Sequence, residues 1–304
     1  MIFSVTVLGS NSASPLPNRN PTAHLVNHLN RLFLADCGEG TQIQLQRYRI
    51  KYQRINHIFI THLHGDHYFG LIGLIMTFHL LGRTKPLHVY APDGLEEIIM
   101  LQLKVSKTVL RYHLNISVVD TEQHQIIYED DSLVVKSLPL KHSVPTCGYL
   151  FAEKPLLRRM RPGIVQNLEI PVDNIMTIKH GGSYLHSDGK IYQNEDLTVD
   201  PPSPRSYAFG SDTLADAQLP HLIKGVNLLY HEATFTNDMA LKAREKFHST
   251  ALEAATIALA AEAKQLMIGH YSARYDDPTP LLNEAKTLFP NTCLAEDGTT
   301  YYIQ

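Results

Sequence analysis

With 304 residues, 44% of them hydrophobic and 19% charged, the chain has an ordinary globular make-up and enough apolar residues for a large core, which excludes a disordered or fibrous polypeptide. A formal net charge of −3 excludes a globally basic surface, so any phosphate-binding site must be local. Histidine, with 17 residues, is the one unusual count.

The opening stretch from Met1 to Leu8 lacks a basic leader and a small-residue cleavage site, and reads as a first strand. This argues against export and for the cytoplasm. The greasiest stretch, Phe69 to Leu81, is interrupted by Gly73, Thr77 and His79 and falls short of the about 20 residues that span a bilayer. It is expected to be a buried helix, with no membrane association. Cys37, Cys147 and Cys293 lie far apart and form no C-x-x-C pair, which fits core thiols in a reducing compartment. No Pro/Gly-rich linker separates two cores, so one domain over 1–304 is expected.

Several apolar runs end abruptly in polar clusters, the pattern of buried strands that deliver loops to one edge of a sheet. Ile58 to Ile60 runs into Thr61, His62, His64, Asp66 and His67. Leu133 to Leu140 runs into Lys141 and His142, and Tyr207 to Phe209 into Ser211 and Asp212. Asn227 to Tyr230 runs into His231 and Glu232, and Gln265 to Ile268 into Gly269 and His270. Imidazole and carboxylate suit Zn²⁺ where cysteine is absent. In His62-x-His64 the alternate spacing projects two imidazoles together, while Asp66 and His67 follow on the bend and can address a second ion. A single strand-end histidine is more often a hydrogen-bonded core or surface residue than a ligand. That reading does not survive the recurrence of His142, Asp212 and His270 at successive strand ends.

His62-x-His64-x-Asp66-His67 with His142, Asp212 and His270 resembles the binuclear zinc signature of the metallo-β-lactamase superfamily. The resemblance implies an α/β fold, an αββα sandwich with two mixed β-sheets packed between helices. It also implies that His62, His64 and His142 hold one of two Zn²⁺, that Asp66, His67 and His270 hold the other, and that Asp212 bridges them; Mn²⁺ is the alternative metal. Within the superfamily, His231 to Thr234 and His248 to Thr250 resemble the paired HEAT and HST motifs of ribonuclease Z. Ser272, Arg274 and Tyr275 resemble its Ser-x-Arg-Tyr element, and Pro15, Arg19 and Asn20 its P-x-K-x-R-N loop, with Pro17 in the lysine position.

That family resemblance implies an endoribonuclease that frees the 3′ trailer of precursor tRNA by hydroxide attack on a phosphodiester, leaves a 3′-hydroxyl on the tRNA, and works as a homodimer. Asp66 would orient or deprotonate the attacking water. His248 would protonate the leaving oxygen if Glu232 accepts from its other ring nitrogen. His248 to Thr250 can equally serve as a helix N-cap, with Thr250 and Glu253 in capping-box spacing.

Arg19, Asn20 and Arg274 are candidates for contact with the RNA acceptor end, the plain alternative being surface salt bridges. An insertion at about 151–203 stands where the family carries a tRNA-gripping arm. Its usual Gly-Pro tip is not evident, and its basic run, Lys154, Arg158, Arg159 and Arg161, either binds phosphates or is a solvated surface loop. The rival functions are a phosphodiesterase for small or cyclic phosphodiesters on the same two ions, and a scaffold that has kept the fold without the chemistry.

Overall fold

The computed structural model describes residues 2–304; Met1, at the head of the expected first strand, lies outside them. The chain divides into a main unit, Met1–Glu129, Val134–Ala152 and Arg205–Gln304, and a smaller unit, Asp130–Leu133 and Glu153–Pro204.

In the main unit β1 (Phe3–Gly9), β2 (Ala23–His28) and β3 (Arg31–Ala35) pair antiparallel. Helices α1 (Thr41–Arg47), α2 (Gly65–Leu80) and α3 (Leu95–Val105) then alternate with β4 (Ile55–Phe59), β5 (Leu87–Ala91) and β6 (Leu114–Val118), so that β3 to β6 run parallel. A second sheet begins with β7 (Ile126–Glu129), β8 (Leu133–Pro139) and β9 (Cys147–Glu153). The smaller unit follows with β10 (Arg159–Met160), α4 (Ile164–Asn167), α5 (Val172–Lys179), β11 (Tyr184–Leu185), β12 (Ile191–Tyr192), α6 (Asn194–Leu197) and β13 (Thr198–Val199). The second sheet resumes with β14 (Ser206–Gly210), α7 (Leu219–Leu222), β15 (Leu228–Glu232), α8 (Ala240–Glu245), α9 (Ala251–Ala260), β16 (Gln265–Gly269), α10 (Thr279–Leu288) and β17 (Thr292–Leu294), and β18 (Thr300–Tyr302) returns to β1. The sheet orders are β18-β1-β2-β3-β4-β5-β6 and β17-β16-β15-β14-β9-β8-β7.

Alternation along the strands sets the layers, because successive side chains leave opposite faces of a sheet. Leu32 and Leu34 pack with Leu71, Leu74 and Phe78 of α2 on the outer face of the first sheet. Phe33, between them, points the other way, with ring centroids 5.4 Å from Tyr128 and 6.2 Å from Phe151 of the second sheet. Phe59 repeats the pattern against Tyr149 at 5.2 Å and Phe151 at 5.4 Å. On the far side Leu229, Leu266 and Ile268 pack against Ala254, Ala258 and Leu281. The result is two mixed sheets between helices, the αββα sandwich.

The ordinary fate of a core histidine is visible in His24. It is buried between the sheets with Nδ1 2.7 Å from the Tyr207 hydroxyl, and burial pulls its pKa down to about 3.

The apolar stretch expected as a buried helix is one-sided and begins earlier, at Gly65. Leu71, Leu74, Ile75 and Phe78 are buried, whereas Phe69 and Leu80 are 59% and 73% exposed. Apolar residues occupy both faces of α2, so their count conceals which face meets the sheet. At α9, Thr250 accepts from the Glu253 backbone N–H and Glu253 accepts from the Thr250 N–H, a complete capping box. Such a cap contributes about 1 kcal/mol.

The smaller unit is a folded element with its own core of Ile170, Ile178, Tyr184 and Leu197, which sets it apart from a solvated loop. The β11–β12 hairpin turns at Gly189, which adopts φ +86°. Arg158 pairs with Asp200 and donates to Thr198 Oγ1 at 2.7 Å, and Arg161 donates to the Glu195 carbonyl at 2.9 Å.

Candidate metal centre

The C-terminal ends of β4, β8, β14, β15 and β16 meet at one edge of the sandwich, and the residues just beyond them form the site. Such edges are where open α/β sheets place ligands. The turn Asp36–Gly38 after β3 holds the first turn of α2: the Cys37 N–H donates to the His67 carbonyl at 2.7 Å and the Gly70 N–H to the Cys37 carbonyl at 2.9 Å. A Cβ on Gly38 would lie 2.4 Å from the Asp66 carbonyl oxygen, so only glycine permits this approach. His64 caps α2 in extended conformation, which turns Asp66 and His67 toward His62.

The structure brings the seven sequence-identified residues together in two overlapping groups. Ligand atoms of His62, His64, His142 and Asp212 lie within 4.8 Å of one another, as do those of Asp66, His67, Asp212 and His270. Asp212 belongs to both: its Oδ2 is 3.7 Å from His62 Nε2 and 3.4 Å from His67 Nε2, and its Oδ1 is 3.2 Å from His270 Nε2. Asp66 Oδ2 is 3.4 Å from both His67 Nε2 and His270 Nε2.

Four of the imidazoles are oriented from behind. His62 Nδ1 is 3.0 Å from Thr61 Oγ1, His67 Nδ1 2.7 Å from Asp36 Oδ2, His142 Nδ1 2.9 Å from the Phe247 carbonyl and His270 Nδ1 2.9 Å from Thr234 Oγ1. Each contact leaves Nε2 facing the cluster, the arrangement that outer hydrogen bonds impose on metal-binding histidines. His64 presents Nδ1 instead, 3.2 Å from His142 Nε2.

The donors fit divalent cations. His62 Nε2, His67 Nε2 and Asp212 Oδ1 are buried and make no hydrogen bond, a costly arrangement for polar atoms that a cation would satisfy. Burial keeps His62 and His142 well toward their neutral form, as a ligating imidazole requires. Burial also opposes charge on His67, but the Asp212, Asp66 and Asp36 carboxylates outweigh it and raise its pKa well above the usual imidazole value. An all nitrogen and oxygen donor set is one that Zn²⁺ and Mn²⁺ both accept.

Beside this cluster His248 Nδ1 stands 2.8 Å from Glu232 Oε1. Glu232 is buried and further held by the Thr234 hydroxyl at 2.7 Å and the Thr213 N–H at 3.1 Å. Burial disfavours the His248 cation, but Glu232 and then Asp212 reverse this and push its pKa up to about 9.

Arg19 donates to the Tyr275 carbonyl and lies over the Tyr271 ring, 5.8 Å from its centroid. Asn20 is committed inward, its backbone and amide nitrogens donating to Asp297 Oδ2 at 2.8 and 3.0 Å. Arg274 is exposed, with Nε 3.1 Å from Ser272 Oγ and its guanidinium over Phe235.

Sequence reasoning missed Asp36, Phe247 and Asp297, and placed Thr61 at the strand end without a role. Asp36 left a trace only as a carboxylate at the end of an apolar strand.

Set against known proteins, the chain is 45% identical over 296 residues to the ribonuclease Z of Bacteroides fragilis (strain YCH46), covering 97% of both sequences. The chain belongs to the ribonuclease Z family. The crystal structure of human tRNase Z, short form, superposes with a TM-score of 0.71 at 29% identity and 99% coverage of each chain. The metallo-β-lactamase fold protein YhfI from Bacillus subtilis gives 0.69 at 19% identity, with 99% and 98% coverage, which supports the fold alone. A family model described as Anti-Pycsar protein Apyc1 matches residues 3–152, a span that includes His62 to His67 and His142. Membership in the family thus rests on likeness along the whole chain, and the cluster lies where the strand ends of this fold converge.

Proposed function

We propose that this chain is a divalent-metal-dependent endoribonuclease that removes the 3′ trailer from precursor tRNA and leaves a 3′-hydroxyl on the tRNA. The observation that carries the reading is the pair of ligand groups sharing Asp212, in a chain that resembles ribonuclease Z from end to end. His62, His64 and His142 would hold one ion and Asp66, His67 and His270 a second, with Asp212 available to either group. Zinc suits these donors, with Mn²⁺ as the alternative.

When bound, two such cations activate water and neutralise charge on a phosphodiester. Asp66, steadied by the Ala13 N–H at 2.8 Å, orients the attacking water and accepts its proton. His248, held charged by Glu232 through Nδ1, donates from Nε2 to the leaving oxygen. A buried carboxylate behind a histidine fixes its tautomer and stabilises its cation.

Arg19 and Arg274 contact the acceptor end, guanidinium forks matching phosphate oxygens. Asn20, engaged by Asp297, keeps the loop of Arg19 in place. The smaller unit grips the tRNA body through Lys154, Arg158, Arg159 and Arg161. Of these, Arg158 and Arg161 are already hydrogen-bonded inside the unit, and Arg159 is exposed. Apolar side chains exposed on α2 and α3, among them Phe69, Met100, Leu101 and Val105, support a homodimer interface. Three free cysteines support a reducing, cytoplasmic setting. No helix among the described residues is long and apolar enough to cross a membrane.

Mapping the cut on one precursor tRNA tests the reading. A single scission at the acceptor end, leaving a 3′-hydroxyl on the tRNA and abolished by chelator, is expected. Hydrolysis of a cyclic nucleotide with precursor tRNA left intact would favour the small-phosphodiester reading instead.

A further inference from the structure

At the opposite end of β4 from His62, the loops leading into β3, β4 and β5 enclose a cleft of about 440 Å³. Arg31, Arg54, Arg83 and Lys85 line it, together with the aromatic rings of Phe33, His57 and Tyr128. No aspartate or glutamate lines it among the described residues, in a chain whose formal charge is −3.

Arg83 is the unusual member. It is 3% exposed, and its nitrogens donate to the carbonyls of Lys85 at 2.7 Å, Gln53 at 3.0 Å, Ile55 at 3.0 Å and Pro86 at 2.6 Å and to Asn56 Oδ1 at 2.8 Å. Its guanidinium lies 4.9 Å from the Phe78 ring centroid and 5.5 Å from that of Tyr112. Every partner is neutral, so the hydrogen bonds are satisfied while the charge is not balanced. A buried charge without a counter-ion is unfavourable, and it favours an anion brought beside it.

Lys85 and Arg54 are exposed at the rim, where they can reach such an anion directly. One wall is aromatic: His57 is stacked between Phe33 at 5.7 Å and His88 at 5.1 Å, and the half-buried Tyr128 packs at an angle against it with centroids 4.5 Å apart. Rings of this kind accept the face of a base, and the cleft volume falls within the range of small-molecule sites.

We propose that this cleft is a second ligand site, separate from the metal centre, that binds a nucleoside monophosphate. The phosphate sits at Arg54 and Lys85 above the charge of Arg83, and the base lies against Tyr128. Phosphate on the end of an RNA strand shares this chemistry, and the test separates the two sources.

Adenosine 5′-monophosphate, inorganic phosphate and a ten-residue 5′-phosphorylated oligoribonucleotide are titrated calorimetrically into the wild type, the double variant Arg54→Glu/Lys85→Glu, and Asp212→Ala as a control with a disrupted metal centre. Saturable binding of the nucleotide to the wild type and to Asp212→Ala is expected. The double variant should weaken it at least tenfold while cleaving precursor tRNA at the wild-type rate, which also shows that it is folded. Equal nucleotide affinity in the double variant overturns the site. Inorganic phosphate binding as tightly as the nucleotide, or the oligoribonucleotide binding more tightly in a manner lost in the double variant, overturns the mononucleotide assignment.

Discussion

The backbone carbonyl of Phe247 accepts a hydrogen bond from His142 Nδ1 at 2.9 Å, and it reaches that position because Phe247 adopts φ +58°. An aromatic residue in the left-handed region costs about 1 kcal/mol or more, and such conformations cluster where function demands them. Asp36 and His270, with φ +57° and +60°, share the feature at the same site.

Replacing Phe247 should therefore act through backbone shape. Asparagine tolerates the left-handed region and should leave metal affinity near that of the wild type. Valine does not, and Phe247→Val should move the carbonyl off His142 and weaken metal binding by roughly 10- to 100-fold, as loss of an orienting partner does. Chelator competition on both variants measures the difference; equal affinities would show that the carbonyl does not orient the ring.

The shared carboxylate makes a sharper demand. Asp212→Ala should deplete both ions, because its oxygens face both histidine groups. His142→Ala should deplete only the ion of its own group. Elemental analysis of the two purified proteins reads this directly, and full occupancy in Asp212→Ala contradicts a shared ligand.

What could be foreseen from sequence depended on how far apart the cooperating residues lie. His62, His64, Asp66 and His67 announce themselves because ligands on one turn crowd into six positions, and apolar runs ending at His142, Asp212 and His270 betray strand ends. The sandwich came with the family resemblance that those ligands carry, whereas Leu32, Phe33 and Leu34 are all apolar, so which of them meets which layer shows only once the strand is folded. Asp36 was not, because a lone aspartate after a strand reads as a turn until folding brings its oxygen 2.7 Å from His67. Phe247 acts through a main-chain atom and has no side-chain signature. The Asn20–Asp297 bond joins residues 277 positions apart. The exposed side of α2 was hidden because apolar residues occupy both of its faces.

Metal removal should be felt in stability as well as in rate. The site buries His62, His67, Asp36, Asp212 and Glu232 together, and cations bound only by the folded state stabilise it by mass action, about 4 kcal/mol at a free concentration 1,000 times Kd. Chelated protein should melt several degrees lower, and adding Zn²⁺ back should restore the transition and release protons, since the carboxylates around His67 retain one there. A melting temperature indifferent to chelator and to added Zn²⁺ or Mn²⁺ would remove the case for ions at this cluster.

His248→Ala should retain full metal content and lose about 10² to 10⁴ in turnover on precursor tRNA, the usual contribution of a general acid. Glu232→Gln keeps the shape but removes the charge that holds His248 protonated, and should lose less. A small aryl phosphodiester whose leaving group departs without a proton provides the control: its hydrolysis by His248→Ala should fall far less than tRNA cleavage. Equal losses on both substrates would assign His248 a structural role.

The smaller unit poses the last question, whether it recognises RNA or only decorates the fold. Its strands pair among themselves, β10 with β13 and β11 with β12, around a core of its own. Replacing residues 154–203 by a short Gly/Ser linker should then leave the main unit folded and its metal centre intact. If the unit grips tRNA through sequence-independent phosphate contacts, the shortened protein keeps its rate on the aryl phosphodiester and loses precursor tRNA cleavage by orders of magnitude. The wild-type advantage should also shrink steeply as salt rises, because each phosphate contact released carries its counter-ions with it. Normal tRNA processing by the shortened protein would show that the main unit alone selects the substrate.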